Sequence, residues 1–123
     1  MIQQNGKLLE EYFNGMYFSG LGQFDDAIKS YERALLINPK YAKVYFNLGG
    51  ALLELGQLDD ATINYKKSLD INPSFAEAQN NLGNVYKELG QLDKAIDSYQ
   101  KALAINPKYA EAHFSIAITF QLL

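Results

Sequence analysis

The chain has 123 residues, 48% of them hydrophobic, which is ordinary for one globular domain and too apolar for a disordered chain. Eleven Lys and Arg are scattered among 14 Asp and Glu, for a formal net charge of −3, so the sequence lacks the electropositive patch that nucleic acids require. It has no cysteine, which excludes disulfides and thiolate metal sites, and no apolar run of the ~18–20 residues that span a membrane.

The chain repeats itself every 34 residues. The interval is kept by Asn-Pro at 38–39, 72–73 and 106–107, by Gly at 22, 56 and 90, and by Tyr at 31, 65 and 99. A fixed period of this length is typical of stacked supersecondary units, none of which can bury its apolar face alone. We therefore divide a single domain, 1–123, into repeats 8–41, 42–75 and 76–109 and a terminal half-repeat helix, 110–123.

Each of the three units predicts two helices, and the last predicts one. In the third unit, Leu82, Val85 and Leu89 form an apolar stripe at helical spacing. Gly90 ends that helix, since glycine adopts the left-handed conformation that closes a helix C-terminus, and Pro107 ends the second helix. The order of signals predicts an all-α fold, an α-α superhelix or solenoid of three 34-residue helix-turn-helix repeats and a final single helix.

Small residues recur at positions within the predicted helices where larger apolar residues would also fit the pattern. Gly49 and Gly83 lie within predicted first helices, and Ala27, Ala61 and Ala95 lie within predicted second helices. Glycine inside a helix costs roughly 0.5–1 kcal/mol relative to alanine, so it needs a packing reason. These positions predict a close approach of two helix backbones.

The spacing of the recurring residues resembles the tetratricopeptide repeat. Within each unit a small residue at the eighth position, Gly at the fifteenth, Ala at the twentieth, Tyr at the twenty-fourth and Pro at the thirty-second fit that family. Two residues depart from the pattern, Asn14 where the family has Leu and Ser68 in place of a small Ala. The resemblance covers 8–123 and implies a non-catalytic module that binds a protein or peptide in a concave groove lined by the first helices.

The groove face of a first helix consists of the second, fifth, sixth, ninth, twelfth and thirteenth positions, which recur at three- and four-residue spacing. From this face we select as candidate peptide-binding residues Tyr12, Met16, Lys43, Phe46, Asn47, Gly50, Glu77, Asn80, Asn81 and Asn84.

Asn47 and Asn81 share the sixth position, so they are predicted to lie one above the other. A carboxamide both donates and accepts, which suits the amide groups of an extended peptide. The pair is similar to the asparagine ladder of the O-linked N-acetylglucosamine transferases, which implies recognition of peptide main chain. The alternative is that each Asn bonds a neighbouring turn.

An apolar cluster is predicted at the N-terminal half of the groove, from Tyr12, Phe13, Met16 and Phe46. Aromatic rings with a Met suit a partner's side chain. The alternative is that Tyr12 and Phe13 pack on residues 1–7 or cover the edge of the first unit, and this alternative is favoured for Phe13.

The chaperone-binding members of the family hold a C-terminal carboxylate with Lys, Asn and Arg at fixed positions. This chain has Tyr12, Met16, Asn47, Glu77 and Asn81 there, so the positive charges are missing and recognition of a chaperone tail is not expected.

Catalytic signals are weak. His113 is the single histidine, which argues against a metal site and a His-based triad, and we expect neither an enzyme nor a cofactor. The paired carboxylates Asp25-Asp26 and Asp59-Asp60 are explained by the dipole of the second helices.

Three functions are compatible with these features. The first is a protein–protein interaction scaffold that binds a peptide or partner segment. The second is a regulatory or substrate-recruiting segment of a larger enzyme such as a glycosyltransferase. The third is a self-assembling homo-oligomer, because the helix in 110–123 is apolar on most sides and terminal units need a polar face for solubility. Nucleic-acid and membrane partners are not expected. The absence of a secretory signal in residues 1–7 predicts a cytoplasmic protein, and the alternative is a mature periplasmic fragment with an added Met, which would have the same sequence features.

Overall fold

The computed structural model describes residues 2–123, with side chains from residue 5 onward. Its seven helices are α1 (Ile2–Gly20), α2 (Phe24–Ile37), α3 (Ala42–Glu54), α4 (Leu58–Ile71), α5 (Ala76–Glu88), α6 (Leu92–Ile105) and α7 (Ala110–Leu122). The described part of the chain contains no strand, and the all-α prediction is confirmed.

The first helix begins earlier than the period predicts. Helix α1 starts at Ile2, before the predicted first unit, and it continues through Gly6 because residues 2–7 contain no proline. Lys7 and Glu10 lie one turn apart with 3.7 Å between Nζ and Oε2. An ion pair at this spacing stabilises an exposed helix by a few tenths of a kcal/mol. The two residues lie on either side of the start of the predicted first unit, so the ion pair supports the extension of α1 beyond it.

The turns within the helix pairs are closed by glycine. Gly22, Gly56 and Gly90 each have φ of 75°, which a side chain would disfavour. The residue after each glycine donates its N–H back into the helix, for example Gln23 to the Phe18 carbonyl at 2.9 Å. This is the Schellman arrangement that satisfies the last carbonyls of a helix.

The turns between units depend on the Asn of each Asn-Pro pair as well as on the Pro. The side-chain oxygens of Asn38, Asn72 and Asn106 accept from the backbone N–H two residues later, at 3.0, 3.2 and 3.2 Å. Pro explains why each second helix ends, and the Asx turn explains why Asn precedes it.

Packing within each pair is set by a ring that lies on a glycine. A Cβ added to Gly15, Gly49 or Gly83 would lie 2.4, 3.0 or 2.6 Å from the ring of Tyr31, Tyr65 or Tyr99, respectively. The close approach predicted for Gly49 and Gly83 is present, but the neighbour is a tyrosine ring and not a helix backbone. We call each glycine and its tyrosine a socket. All three tyrosine side chains are buried in the core.

One buried charge also ties the first pair together. Glu11 on α1 is 5% exposed and accepts a hydrogen bond from the Arg33 guanidinium on α2. The pairing supplies the partner that a buried carboxylate requires.

The final helix leaves an apolar surface exposed. Helix α7 packs on α6 and α5, and buries Ala112 and Thr119. Its exposed residues include Phe114 at 68% and Phe120 at 55%. The predicted apolar end is therefore a surface feature of the chain.

Candidate peptide-binding groove

Successive first helices lie side by side and form one face of the molecule. Helix α1 contacts α3, α3 contacts α5, and α5 contacts α7. We call the surface that they share the inner face. A cavity of about 220 Å³ lies at its centre and has residues of α1 to α5 on its walls. We call it the central cavity.

The central cavity brings together four of the candidate residues. They are Phe46, Asn47 and Gly50 on α3 and Asn81 on α5. Glu54 is the one charged residue among those that line it. The other candidates do not line this cavity. Met16, Lys43 and Glu77 are exposed, and Asn84 lines a separate cavity next to Lys87 and Glu88. Tyr12 and Asn80 are hydrogen-bonded to Asn47 and Asn81, respectively.

The two asparagines of the sixth position make different contacts. Asn47 donates from Nδ2 to the Tyr12 hydroxyl at 2.9 Å, and Asn81 accepts from Asn80 Nδ2 at 3.5 Å. Neither contact is with a turn, so the alternative of a turn bond does not describe them. Asn47 is held by Tyr12, whereas Asn81 has only a long contact and keeps hydrogen-bonding capacity for a ligand.

Asn80 is the candidate whose predicted exposure on the groove is wrong. It is 1% exposed, and its Oδ1 has no hydrogen-bond partner among the described residues. The equivalent residues of the earlier units are Tyr12 and Phe46, whose rings lie 5.8 Å from Tyr41 and 4.7 Å from Phe75. The fifth position of a unit therefore faces the junction with the neighbouring unit, although helical spacing alone places it on the groove.

The predicted apolar cluster is divided by this junction. Tyr12 is half-buried against Tyr41, and burial raises its pKa while the hydrogen bond from Asn47 opposes that rise. Phe13 is 58% exposed, and its ring lies 5.8 Å from that of Tyr12. Met16 is 44% exposed. Phe46 alone combines a packed ring with a place on the wall of the central cavity.

The hydroxyls of the three socket tyrosines differ. The Tyr31 hydroxyl is hydrogen-bonded to Ser19 Oγ at 3.3 Å, and the Tyr99 hydroxyl donates to Asn84 Oδ1 at 2.6 Å. The Tyr65 hydroxyl is buried and has no hydrogen-bond partner among the described residues. Tyr65 also lines the central cavity, so the unpaired hydroxyl and the candidate asparagines share one site.

The sequence analysis did not single out Tyr65, because Tyr31, Tyr65 and Tyr99 share one position of the repeat. The signal was present at the ninth and twelfth positions of the units. Asn84 in the third unit is replaced by Gly50 in the second, and Ser19 in the first unit is replaced by Leu53. Neither Gly50 nor Leu53 has a side chain that can accept a hydrogen bond from Tyr65.

The surroundings of Tyr65 keep its hydroxyl protonated. Burial raises the pKa of Tyr65 to about 12, the Asn81 carboxamide opposes the rise, and the Glu54 carboxylate adds to it. Asn81 makes no hydrogen bond of ordinary geometry with this hydroxyl. At neutral pH Tyr65 is therefore a neutral donor beside a negative charge.

Other kinds of site are not found in the described residues. They contain no group of three or more His, Asp or Glu side chains placed to hold a metal ion. Within the same part of the chain, no helix is long and apolar enough to cross a bilayer.

Paired antiparallel helices stacked at a constant period define a helical-repeat protein. The family model described as TPR repeat matches residues 17–56, 49–90 and 83–123, and the chain belongs to this family. Comparison with curated proteins gives no match.

Solved structures share the fold over nearly the whole chain. MamA is 27% identical with a TM-score of 0.89, over 93% of this chain and 67% of its own. The first TPR of Spaghetti (RPAP3), bound to the HSP90 peptide SRMEEVD, is 22% identical with a TM-score of 0.92, over 95% and 93%. The Arabidopsis OM64 TPR domain is 20% identical with a TM-score of 0.94, over 98% and 99%.

Proposed function

We propose that this chain is a protein-interaction scaffold that binds an extended peptide segment along its inner face. The observation that carries the proposal is the central cavity, which unites Phe46, Asn47, Gly50 and Asn81 on two neighbouring first helices. An apolar ring beside carboxamides is the mixture that peptide grooves use, since the ring buries a side chain and the carboxamides bond main chain. The repeats that present this face are 8–41, 42–75 and 76–109.

Two likenesses support a peptide ligand. The first TPR of Spaghetti (RPAP3) is bound to an HSP90 peptide, and the second TPR domain of human RPAP3 is in complex with the HSP70 peptide SGPTIEEVD. The Asn47 and Asn81 pair is similar to the asparagine ladder of the O-linked N-acetylglucosamine transferases, and this supports recognition of main chain in particular.

The chemistry of the groove favours a neutral or basic peptide over an acidic one. Glu54 lines the central cavity and Glu77 is exposed on the same face. The positions that carry cations in chaperone-binding members hold Tyr12, Glu77 and Asn81 here. A peptide that ends in several carboxylates would meet negative charge with few compensating cations. We expect the peptide SRMEEVD to bind at least tenfold more weakly than a neutral peptide selected on this chain.

Selection from an unbiased peptide library tests the proposal. The unmodified chain is compared with a variant that carries Asn47→Ala and Asn81→Ala, and with Asn64→Ala as the matched control. Asn64 bonds the Asp60 carbonyl on α4 and does not line the central cavity. We expect the unmodified chain and the control to capture the same peptides and the double variant to lose them. Capture of nothing by the unmodified chain, or of the same peptides by all three, would remove the proposal.

The apolar surface at both ends supports self-association as a second function. Phe114 and Phe120 are exposed on α7, and Tyr17 and Leu21 are 65% and 53% exposed in the first unit. Stacking of one copy's α7 on another copy's first unit would cover both surfaces.

Sedimentation across concentration tests the second function, with Phe114→Ser and Phe120→Ser combined in one variant. We expect the mass of the unmodified chain to rise with concentration and that of the variant to stay at one chain. The matched control is Leu36→Ser, because Leu36 is 84% exposed on α2, which is neither of the two end surfaces. A constant mass for the unmodified chain would refute self-association.

A further inference from the structure

In all three sockets the tyrosine ring packs on a glycine, but the three tyrosine hydroxyls differ in their hydrogen bonds. Tyr31 and Tyr99 are hydrogen-bonded by Ser19 and Asn84, which lie on the first helix of their own units. Tyr65 is as buried as Tyr99, at 0% exposure, and its hydroxyl has no partner among the described residues. Buried hydroxyls in folded proteins are nearly always hydrogen-bonded, so an unpaired one is a signal that a partner comes from elsewhere.

Gly50 lies next to the Tyr65 hydroxyl, which is itself buried, and Gly50 also lines the central cavity. A Cβ added at position 50 would lie 3.6 Å from the Tyr65 hydroxyl, at ordinary van der Waals distance, so glycine keeps the cover over that oxygen thin. The equivalent residue of the third unit is Asn84, whose Oδ1 accepts from Tyr99 at 2.6 Å. Glycine thus removes the acceptor that Asn84 provides in the third unit, and it leaves no side chain at this position to block an external acceptor.

The walls of the cavity define the chemistry of that external acceptor. Asn47 and Asn81 place two carboxamides beside the hydroxyl, Phe46 provides an apolar wall, and Glu54 provides a negative charge. The charge of Glu54 disfavours a carboxylate. A neutral amide suits the site because its carbonyl accepts from the hydroxyl, while its N–H can donate to the oxygen of Asn81.

We propose that the Tyr65 hydroxyl is a ligand-binding donor, and that it bonds the carbonyl of a neutral amide that enters the central cavity over Gly50. The amide is a main-chain peptide group or the side-chain carboxamide of Asn or Gln in the bound segment. The inference rests on the proposed function of the inner face and adds to it the atom that holds the ligand. It also predicts that the middle unit contributes more to binding than the other two.

Small probes test the donor without a known peptide. N-methylacetamide stands in for main chain, acetamide for a carboxamide side chain, and acetate for a charged acceptor. Each is titrated into the nitrogen-15-labelled chain, and the backbone amide shifts of Gly50 and Asn81 are followed by NMR. The chain is compared with Tyr65→Phe and with the matched control Tyr99→Phe, which removes the hydroxyl that is already bonded to Asn84.

We expect one of the two amides to shift Gly50 and Asn81, the shift to fall at least fivefold in Tyr65→Phe, and the shift to persist in Tyr99→Phe. A larger response to N-methylacetamide identifies main chain as the source, and a larger response to acetamide identifies a side chain. A response to acetate equal to that of the amides overturns the neutral-ligand assignment. No response, or an equal response in Tyr65→Phe, overturns the donor assignment.

A peptide from the library separates this inference from the proposed function. For such a peptide we expect Kd to rise about tenfold in Tyr65→Phe and to be unchanged in Tyr99→Phe. Unchanged affinity in both variants would leave the groove in place and refute the donor. If the amide probes bind and the library yields no peptide, the donor stands and the extended-peptide function fails.

Discussion

The middle unit and the third unit have the same scaffold and different sites. Both place a tyrosine ring on a glycine of the preceding helix, as Tyr65 on Gly49 and Tyr99 on Gly83. In the third unit Asn84 accepts from the tyrosine, whereas in the second the residue at that position is Gly50 and the buried hydroxyl has no partner among the described residues. The residues that repeat therefore build the stack, and one residue that does not repeat determines whether the tyrosine hydroxyl is paired within its own unit.

We expect the three sockets to differ in how closely the tyrosine ring packs on the glycine. The largest predicted change in stability comes from this difference. A Cβ at Gly15 would lie 2.4 Å from the Tyr31 ring, a distance that requires the buried ring to move. We expect Gly15→Ala to lower the free energy of unfolding by about 3 kcal/mol, the upper end of the usual cost of overpacking. Urea unfolding measures it.

The matched substitution in the middle unit is Gly49→Ala. There the Cβ would lie 3.0 Å from the Tyr65 ring, and alanine favours the helix by roughly 0.5–1 kcal/mol over glycine. We expect a cost below about 1 kcal/mol. Equal losses from the two substitutions would show that the sockets are equally tight and that the middle unit is not looser.

The second effect concerns stability at high pH. Burial raises the pKa of Tyr65 to about 12, from the ordinary tyrosine value of 10.0 that also describes the unfolded chain. The unfolded state therefore loses its proton first, so the stabilisation is complete below pH 10 and is lost as pH rises toward 12. Relative to Tyr65→Phe, we expect the chain to lose about 2–3 kcal/mol of unfolding free energy across that interval.

Chemical denaturation of both proteins at a series of pH values between 9 and about 12 measures this difference. The comparison with Tyr65→Phe cancels the titration of the lysines and of the other tyrosines, since both proteins contain them. A difference that stays constant with pH would show that the Tyr65 hydroxyl is hydrated in the folded chain.

The third prediction compares the stability lost on removal of a hydrogen-bonded tyrosine hydroxyl with that lost on removal of an unpaired one. Tyr99→Phe removes the donor to Asn84, and we expect it to cost about 1 kcal/mol of unfolding free energy at neutral pH. Tyr65→Phe removes a buried group without a partner, so we expect no loss or a gain of up to about 1 kcal/mol. Thermal and urea unfolding measure both variants. A larger loss for Tyr65→Phe than for Tyr99→Phe would contradict the difference between the units.

The scaffold could be predicted from the sequence because it depends on local rules that repeat. Gly22 ends a helix through its own backbone conformation, and Pro39 does so through its ring, whatever the neighbouring unit contains. The apolar stripe of each helix likewise identifies which side is buried. Three copies of these signals leave one architecture, and the helices lie where the signals indicate apart from the earlier start of α1 at Ile2.

The site could be predicted only in part because it depends on contacts between helices. Helical spacing placed Asn47 and Asn81 on the same face, one above the other, yet it could not show that Tyr12 already holds Asn47 at 2.9 Å. It also placed Asn80 on the groove, although that side chain is buried at the junction between units. Such contacts depend on differences of a few tenths of an ångström in the distances between side chains, which the spacing of residues along the sequence does not specify.

The smallest effect comes from converting the middle unit into a copy of the third, with Gly50→Asn. The new carboxamide is expected to accept from the Tyr65 hydroxyl as Asn84 accepts from Tyr99, and the loss of a helical glycine adds to the gain. We expect the free energy of unfolding to rise by about 0.5–1 kcal/mol, measured by urea denaturation.

The same substitution should abolish the response of the chain to the amide probe, because the donor is then bonded internally and the cavity is filled. Gain of stability with loss of binding would show that the middle unit gives up stability in order to keep a ligand site open. Loss of stability would instead show that the space over Gly50 is too narrow for a side chain, and therefore too narrow for the amide group that we propose enters there.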